Sequence, residues 1–319
     1  ITKDMQTYTL KATNGSAEVV YRLRLHRCQK DETYYNEKWR GQFHYSIKDG
    51  WANDPNGMVY FKGEWHMFHQ YYDGDKWGPM HWMHATSKDG IHWEEHPIAL
   101  YPDEYGTMYS GCAVIANHET APDIFKEGEE GLVFLITANG NNGNDDQKII
   151  GAYSLDGKTF HKYEKGKVLI HWKEDSLNTS AFRDPKVFRY DNKWFMVVAG
   201  GPLRIYSSDD LVHWNQESAY KDCHTECPDL FPVVVRDENG KDTGEVKWVF
   251  SRGGRKYKIG DFKKVDGQYK FVPLSQYASE NGEGMGDEKN DGIMNFGYDS
   301  YAAMTYYTGE FGSGNSYNK

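Results

Sequence analysis

The stretch that decides the fold is Gly50-Trp51-Ala52-Asn53-Asp54-Pro55-Asn56-Gly57. An alternating apolar run over 58–61 follows it, and a second run over 65–72 comes after a short turn at 62–64. This spacing predicts a β-hairpin. Proline favours extended backbone in the residue before it, so we expect a rigid turn to hold Asp54 at the mouth of that hairpin. Taken alone, the motif is also compatible with an ordinary turn that carries no chemistry.

The composition excludes several classes of function. The 319 residues suffice for one large domain or two ordinary ones. A net charge of −10, spread along the chain, argues against nucleic acid or an anionic membrane as a partner. No apolar run is long enough for a membrane span. Aromatic residues make up 15% of the chain, which suits a site that stacks on sugars but also suits β-strands.

The first 40 residues show no chemistry. Two polar strands, 6–13 and 19–25, are predicted before a charged linker over 29–40. We interpret 1–40 as an N-terminal β segment and linker, the end of a preceding β-domain, and 41–319 as the main domain. Because the chain starts at Ile1 and no signal-peptide pattern opens it, we expect a processed or excised piece.

A loose repeat runs from residue 41 onward. Four segments, beginning at Ser87, Ser154, Ser207 and Lys264, share an Asp-containing turn followed by an aromatic residue. Their spacing of about 50 to 70 residues, with short alternating strands between them, is typical of propeller blades. Long helical patterns are absent from the sequence. A β-sandwich with recurrent turns is the alternative.

Each repeat opens with a short polar motif that leads into an apolar strand. The openings are Asn53-Asp54-Pro55, Tyr109-Ser110-Gly111, Arg183-Asp184-Pro185, Thr225-Glu226-Cys227-Pro228 and Tyr298-Asp299-Ser300-Tyr301. The first strand of each blade lines the axis of a propeller, so we expect Asp54, Asp184 and Glu226 to face one another. Three like charges in one funnel cost stability, which indicates that function retains them.

Two carboxylates that flank a glycosidic bond can cleave it. Glu226 is the better acid candidate, because it has the longer reach and nearby negative charges should raise its pKa. Asp54, short and rigidly held, is the better nucleophile. Arg183 should keep Asp184 ionised, which leaves Asp184 to orient the substrate and stabilise the transition state.

Three of these stretches resemble the signature motifs of glycoside hydrolase family 32, the invertases, inulinases and levanases. They are residues 51–57, Arg183-Asp184-Pro185 and Glu226-Cys227. Supporting matches at 65–71, 77–82, 109–111 and 299–303 follow the order of the family. One motif alone would be weak, but the ordered set covers residues 41 to about 310 and is highly specific.

The resemblance implies an all-β fold, a five-bladed β-propeller. It also implies retaining hydrolysis of β-fructofuranosides through a fructosyl-enzyme intermediate, without a cofactor. Asp54 would be the nucleophile, Asp184 the transition-state stabiliser and Glu226 the general acid/base. The substrate would be sucrose or a fructan, and the enzyme would be extracellular or attached to the cell surface. The sugar subsites would be lined by Trp51, Asn53, Gln70, Trp77, Tyr109, Ser110, Arg183 and Asp299.

The sequence departs from the family at several positions. Ala52, Cys112 and Met304 replace residues that are common in the family, and His224 stands where some members carry a second acid. We expect these four positions to tune the leaving-group subsite. The family completes a fifth blade and adds a C-terminal β-sandwich, whereas this chain stops at Lys319. We therefore expect 41–319 to be a catalytic propeller whose fifth blade is truncated, with further domains or segments missing.

Several other motifs of the sequence have interpretations of their own. Cys223-His224 with Cys227, and His81 with His84, lack the spacing of a zinc site, so no metal is predicted. Cys227 is expected to pack beneath Glu226, and 139–146 to form a mobile loop near the substrate. Trp82 joins Trp51 and Trp77 as a candidate for sugar contact.

Three alternative functions remain open. A related five-bladed glycosidase acting on arabinose or xylose polymers would differ around the nucleophile and would invert the anomeric configuration. A fructosyltransferase would share the same intermediate and pass it to a sugar hydroxyl. A non-catalytic fructan-binding propeller would have no need of an acid/base glutamate.

Overall fold

The computed structural model describes residues 6–15, 17–25, 34–41, 44–140, 145–279, 284–286 and 288–309. Nearly all of its regular structure is antiparallel β-sheet. Within the described residues, three short 3-10 helices span Tyr163–Lys165, Trp172–Glu174 and Glu288–Asn290. In this described part of the chain, no helix has both the length and the apolar character needed to cross a membrane.

The N-terminal segment forms a hairpin of its own. Strand β1 (Gln6–Asn14) pairs with β2 (Ala17–Leu25) in a two-stranded sheet, separate from the other sheets of the described residues. The two strands predicted for this region are therefore confirmed.

Four antiparallel sheets follow, each built from four consecutive strands paired with their neighbours in chain order. Blade 1 comprises β3 (Trp51–Phe61), β4 (Glu64–Tyr72), β5 (His81–Ser87) and β6 (Trp93–Leu100). Blade 2 comprises β7 (Thr107–Asn117), β8 (Glu130–Asn139), β9 (Lys148–Ser154) and β10 (His161–Lys162), and β11 (Val168–His171) also pairs with β9.

Blade 3 comprises β12 (Arg183–Tyr190), β13 (Lys193–Ala199), β14 (Gly201–Ser208) and β15 (Asn215–Thr225). Blade 4 comprises β16 (Asp229–Arg236), β17 (Asp242–Arg252), β18 (Lys256–Val265) and β19 (Gln268–Pro273), with β20 (Gly292–Ile293) added beside β18. Four-stranded meanders in succession are the architecture of a β-propeller, which confirms the predicted all-β propeller but not its fifth blade.

The repeated turn explains the sequence periodicity. In blades 1, 2 and 3 it joins the third strand to the fourth, and a serine hydroxyl caps it. Gly90 N donates to Ser87 Oγ at 2.8 Å, Gly157 N to Ser154 Oγ at 2.9 Å, and Leu211 N to Ser208 Oγ at 2.9 Å. The weaker repeat at 264–269 occupies the same position in blade 4. A short side chain bonding to nearby backbone stabilises such turns, so the repeat marks one corner of each blade.

The core lies between the blades and is strongly aromatic. One cluster joins blades 1, 2 and 3 through Phe68, Phe134 and Trp194, and a second joins blades 3 and 4 through Phe195 and Trp248. Trp82 also belongs to the first cluster: its side chain is fully buried and its Nε1 donates to Tyr109 O at 2.8 Å. The expectation that Trp82 meets the sugar is therefore wrong, because its face is covered by core side chains.

The hairpin of blade 1 is confirmed, but the rigid turn at its mouth is not. Residues 51–57 lie inside β3, whose pairing with β4 shifts between Ala52 and Pro55 and again between Asn56 and Val59. Gly57 accommodates the second irregularity with a φ of 53°. Bulges of this kind redirect individual side chains while the strand continues.

The described C-terminal segment returns to blade 1. Tyr307 pairs with Val59 in a parallel bridge, with Tyr60 N to Tyr307 O and Tyr307 N to Met58 O both 2.9 Å. Thr305 N donates to Asp229 Oδ2 at 2.7 Å, so the segment also contacts blade 4. The described residues contain four complete blades and no sheet of a fifth blade. Residues 310–319 lie outside the described part.

Candidate active site

A cleft of about 330 Å³ lies where the first strands of the blades converge. Asp54 lies on β3 of blade 1, Asp184 on β12 of blade 3, and Glu226 between β15 and β16. The three predicted carboxylates therefore come together around one cavity. Its lining is Asn53, Asp54, Gln70, Trp77, Tyr109, Asp145, Gln147, Arg183, Asp184 and Glu226.

Asp54 is oriented by hydrogen bonds on both oxygens. Ser110 Oγ donates to Oδ2 at 2.6 Å and Asn53 Nδ2 to Oδ1 at 3.2 Å. Gln70 Nε2 in turn donates to Ser110 Oγ at 3.3 Å, which helps to hold the serine in place. The thiol of Cys227 lies 3.6 Å from Asp54 Oδ2. These contacts fix the direction in which the carboxyl group faces.

Asp184 is the most buried of the three, with 3% of its surface exposed. Its φ of 61° is unusual for a residue other than glycine, and strained backbone of this kind concentrates at functional sites. Asp184 N donates to Thr137 Oγ1 at 2.9 Å, and Cys227 N donates to Asp184 Oδ2 at 2.9 Å. Burial raises the pKa of Asp184 to about 6, against the lowering effects of the Cys227 amide and Arg183.

Glu226 is half exposed and faces a cation. Arg183 Nη2 lies 2.7 Å from its Oε1, and Tyr301 OH donates to its Oε2 at 3.0 Å. Partial burial acts to raise the pKa of Glu226, but these two hydrogen bonds outweigh it and hold the pKa below its ordinary value. The sequence-based expectation was the reverse, because it counted the neighbouring negative charges and missed both donors.

Arg183 spans the cleft instead of pairing closely with its sequence neighbour. Its Nε is 3.8 Å from Asp184 Oδ2, whereas its Nη2 makes the short contact with Glu226. Nη1 donates to Gln147 Oε1 at 3.3 Å. Gly200 leaves the necessary space, since a Cβ there would lie 2.4 Å from the arginine Cγ. Arg183 does not keep Asp184 at a normal pKa, because the burial of that carboxyl has the larger effect.

The arrangement can hold a carboxylate and a carboxylic acid in one cavity. The burial of Asp184 favours its protonated form, while the donors around Glu226 favour the charged form. Interacting acids of this kind titrate as a set, and a ligand that displaces Arg183 from Glu226 would move the proton toward the glutamate. Acid/base cleavage of a glycosidic bond requires one protonated and one ionised carboxyl group, so the proton has to move from Asp184 to Glu226 before Glu226 can serve as the acid.

The family model described as "Glycosyl hydrolases family 32 N-terminal domain" matches residues 44–314. The chain belongs to glycosyl hydrolase family 32. It is 53% identical over 312 residues to a fructan beta-fructosidase of Streptococcus mutans, covering 96% of this chain and 20% of that protein. It is 42% identical over 254 residues to a levanase of Bacillus subtilis, covering 73% of this chain and 36% of that protein.

The fold agrees with solved members of family 32. An exo-inulinase from Aspergillus awamori superposes with a TM-score of 0.71 at 31% identity, covering 86% of this chain and 58% of the other. The present chain spans between a fifth and about a third of the length of the two curated family 32 relatives described above.

Two exposed tryptophans flank the family 32 cleft. Trp77 is 48% exposed and packs edge-on against Tyr109 with ring centroids 5.6 Å apart. Trp51 is 38% exposed, and its Nε1 donates to Asn53 Oδ1 at 3.3 Å. Trp77 and Tyr109 line the cavity directly, whereas Trp51 reaches it through Asn53. Both tryptophans have apolar ring surface available to a ligand.

Asp299, unlike Ser110 and Trp51, which contact the lining residues Asp54 and Asn53, is a predicted site residue that the structure does not bring to the cleft. Its side chain is exposed, and it is not among the residues that line the cavity. Tyr301, two positions later in the same motif, contacts Glu226 instead. Sequence reasoning chose the charged member of the motif, but the tyrosine makes the contact.

Two further lining residues, Asp145 and Gln147, were not predicted. They precede β9 at the end of the segment expected to form a mobile loop, of which 141–144 lie outside the described residues. Gln147 Oε1 also accepts from Phe182 N at 2.8 Å and so orders the backbone just before Arg183. No pattern in the sequence distinguishes this glutamine, because its partners come from a different blade.

The four departures from the family motifs separate into two groups. Cys112 is buried and its Sγ accepts from Val187 N at 3.2 Å, and Met304 packs against the core. These two stabilise the interface between blades. Ala52 is exposed on β3, and His224 is exposed and lines a second cleft beside Glu226. Of these four residues, only His224 lies beside Glu226, where the predicted leaving-group subsite would be.

Proposed function

We propose that this chain hydrolyses β-fructofuranosidic bonds in sucrose or fructans, with retention of the anomeric configuration. The observation that carries the proposal is the convergence of three carboxylates from three parts of the propeller, each with different hydrogen-bond donors. Membership of family 32 supports the same chemistry. A protein that only binds fructan would have no need of a hydrogen-bonded acid in the position of Glu226.

In the proposed mechanism Asp54 attacks the anomeric carbon while Glu226 protonates the leaving oxygen. The bond to the leaving group breaks and a covalent fructosyl-enzyme forms on Asp54. Glu226, now ionised, removes a proton from water, and the hydroxide oxygen displaces Asp54 to release fructose. Asp184 accepts hydrogen bonds from sugar hydroxyls and stabilises the positive charge that develops on the ring.

For Glu226 to carry the proton that the mechanism requires, the substrate must change the hydrogen bonds that Arg183 makes. Arg183 Nη2 donates to Glu226 Oε1 at 2.7 Å and stabilises the ionised form of the glutamate. A sugar hydroxyl that accepts from the guanidinium would weaken this contact and raise the pKa of Glu226 toward the value that a general acid needs. Substrate binding and acid activation are thereby coupled.

The sugar is proposed to contact a set of residues around the three acids. The polar members supply hydrogen bonds and the aromatic members cover an apolar sugar face. The set is Trp51, Asn53, Gln70, Trp77, Tyr109, Ser110 and Arg183.

The finer architecture is also part of the proposal. Residues 298–309 are proposed to begin a fifth blade, because they lie between blades 4 and 1 and carry a motif of the blade-opening type. We propose 1–40 as a separate N-terminal segment and 41–319 as the propeller domain. Because fructans are large polymers, we propose that the enzyme acts outside the cell or at its surface.

Product analysis with sucrose, inulin and levan tests the proposal. Wild type should release fructose, and Asp54→Asn and Glu226→Gln should each lower kcat by about three orders of magnitude or more. Asp266→Asn is the matched control, since Asp266 is an exposed carboxylate in a distant turn. Circular dichroism should show that all variants are folded.

The outcomes distinguish the alternatives. NMR should detect the β-anomer of fructose as the first product, as expected of a retaining enzyme. Initial release of the α-anomer would contradict the mechanism. Products longer than the substrate would indicate fructosyl transfer. A folded wild type that yields no product from any of the three sugars would refute the activity.

A further inference from the structure

The strand that carries Asp54 is irregular at that residue. The pairing of β3 with β4 jumps from Ala52 to Pro55 while β4 advances by two residues, so Asn53 and Asp54 both lie opposite Gln70. A bulge of this kind interrupts the ladder of hydrogen bonds that holds a regular strand in place. The position of Asp54 therefore depends on how firmly Gln70 is held.

The side chain of Gln70 is connected to Asp54 through one hydroxyl group. Gln70 Nε2 donates to Ser110 Oγ at 3.3 Å, and Ser110 Oγ donates to Asp54 Oδ2 at 2.6 Å. Gln70 is 4% exposed, and it lines the cleft around the three acids. A shift of the Gln70 backbone would therefore move the hydroxyl that orients Asp54.

His69 binds the backbone of Gln70. Its Nδ1 lies 3.0 Å from Gln70 O, and the residue is 4% exposed. Burial lowers the pKa of His69 to about 4, so the ring is neutral at neutral pH and carries a single N–H. A carbonyl oxygen only accepts hydrogen bonds, so this N–H lies on Nδ1 and Nε2 is left as an acceptor.

Tyr45 supplies the donor for that acceptor. Its hydroxyl lies 3.2 Å from His69 Nε2 and 3.1 Å from Glu95 Oε2. Glu95 Oε2 also accepts from Lys48 N at 3.2 Å, so the carboxylate keeps a donor when the tyrosine hydrogen serves the imidazole. The rings of Tyr45 and His69 also pack together, with centroids 5.6 Å apart. One carboxylate, one hydroxyl and one imidazole thus form a chain that ends at the backbone of β4.

The segment that carries Tyr45 is itself held in place. Arg40 Nη2 donates to Lys48 O at 3.0 Å, and Arg40 Nη1 donates to Ser46 Oγ at 3.3 Å. Glu37 Oε1 lies 2.6 Å from Arg40 Nη2 and fixes the direction of the guanidinium. An ordered segment therefore brings the Tyr45 hydroxyl to His69.

We propose that His69 and Tyr45 are positioning residues for the nucleophile, because they hold Gln70 and thereby the bulge that carries Asp54. The proposal rests on the proposed function, in which Asp54 attacks the sugar. Neither His69 nor Tyr45 lines the cleft, so both act without touching the substrate. Their loss should lower kcat, which depends on the geometry of attack, more than it raises KM.

Steady-state kinetics on sucrose, inulin and levan test the positioning role. His69→Phe keeps a ring but removes both nitrogens, so kcat should fall about 10- to 100-fold, since misplacing a reacting group by about 1 Å costs up to about 100-fold. KM should change less than about threefold. In His69→Asn the amide group can replace the Nδ1 donor, so this variant should recover part of the lost kcat. Tyr45→Phe should lower kcat less than His69→Phe, because it leaves the Nδ1 contact in place.

His66→Phe is the matched control. His66 lies on the same strand, is 3% exposed, and bonds to His84 Nε2 at 3.1 Å instead of to the site. Its loss should destabilise the fold while kcat changes less than about twofold. Circular dichroism should show which variants are folded, and Tyr45→Phe, which keeps its packed ring, carries the test if His69→Phe unfolds. An unchanged kcat in Tyr45→Phe and in a folded His69→Phe, or an equal fall in His66→Phe, would overturn the proposal.

Two measurements without substrate separate this proposal from the proposed function. Nitrogen NMR of the His69 ring should show hydrogen on Nδ1, and hydrogen on Nε2 alone would overturn the contact with Gln70. Crystal structures should show the Asp54 carboxyl displaced by about 0.5 Å or more in His69→Asn or Tyr45→Phe, and unmoved in His66→Phe. A wild type that hydrolyses nothing refutes the proposed function alone, whereas an unmoved Asp54 overturns the positioning role whatever the activity.

Discussion

Replacing Arg204 with Met tests how the propeller holds the strand that carries Asp184. Arg204 and Asp175 have no exposed side-chain surface, and Arg204 Nε lies 3.0 Å from Asp175 Oδ2. The guanidinium also donates to the carbonyls of Ala181 and Pro202 and to Thr179 Oγ1. Arg204 thus ties residues 175–181 to blade 3, immediately before Arg183 and Asp184.

The expected cost follows from what the substitution leaves behind. Asp175 keeps hydrogen bonds from Tyr206 OH and Gln216 Nε2, both 2.8 Å, but loses its counter-charge. Removing one partner of a buried ion pair typically costs about 3–5 kcal/mol of unfolding free energy. The methionine recovers little of this, because it cannot satisfy the carbonyl oxygens that the guanidinium served.

Urea denaturation of Arg204→Met, Asp175→Asn and the double variant measures the effect. Because the two residues share one network, the double variant should be more stable than the sum of the single effects predicts, by about 0.5–3 kcal/mol. We also expect kcat/KM to fall in Arg204→Met, since Arg183 and Asp184 follow the released segment. A destabilisation below about 1 kcal/mol, or strict additivity of the two substitutions, would refute the reasoning.

Three further predictions concern the site and the first two blades. Tyr301→Phe removes a hydrogen-bond donor to the ionised form of Glu226, so the pKa of Glu226 should rise. The alkaline limb of the pH profile of kcat/KM should therefore move to higher pH, and an unmoved limb would contradict the contact. Gly111→Ala places a Cβ 2.1 Å from Leu135 O and should cost about 1–3 kcal/mol or more in thermal or urea unfolding, whereas Gly151→Ala, with its nearest contact at 3.3 Å, should cost less; equal costs would contradict this. His84 is buried against Phe68, and burial holds its pKa far below 6.5, so the wild type should lose stability as the pH falls below 6.5. In urea titrations, His84→Gln should lose less unfolding free energy than the wild type between pH 7 and pH 5. An equal loss in the two proteins would exclude His84 as the cause.

The three carboxylates were predictable because their positions depend on local patterns. The repeated turns gave the register of the blades, and each acid lies at or just before the first strand of its blade. The first strands of all blades surround one central axis, so residues at these positions converge whatever the details of packing. The paired strands of the N-terminal hairpin and of blade 1 followed from alternation and turn chemistry in the same way.

The electrostatics of the site depended on tertiary structure. Arg183 was expected to serve Asp184, its neighbour in sequence, but its shortest contact is with Glu226. Burial of Asp184 and the contact of Tyr301 with Glu226 then reversed the expected order of the two pKa values. Likewise, Trp82 and Trp77 look alike in sequence, yet one is in the core and the other lines the cleft.

The sequence by itself therefore determined which residue types recur at the blade openings, and with them the propeller and the identity of the three acids. The tertiary structure alone decided which donor faces which acid, which aromatic residues remain exposed, and that a second cleft adjoins Glu226. The physical reason is the distance along the chain over which each kind of interaction acts. Strand alternation and turn geometry act over a few residues, whereas burial and side-chain pairing are set by segments that lie far apart in the chain.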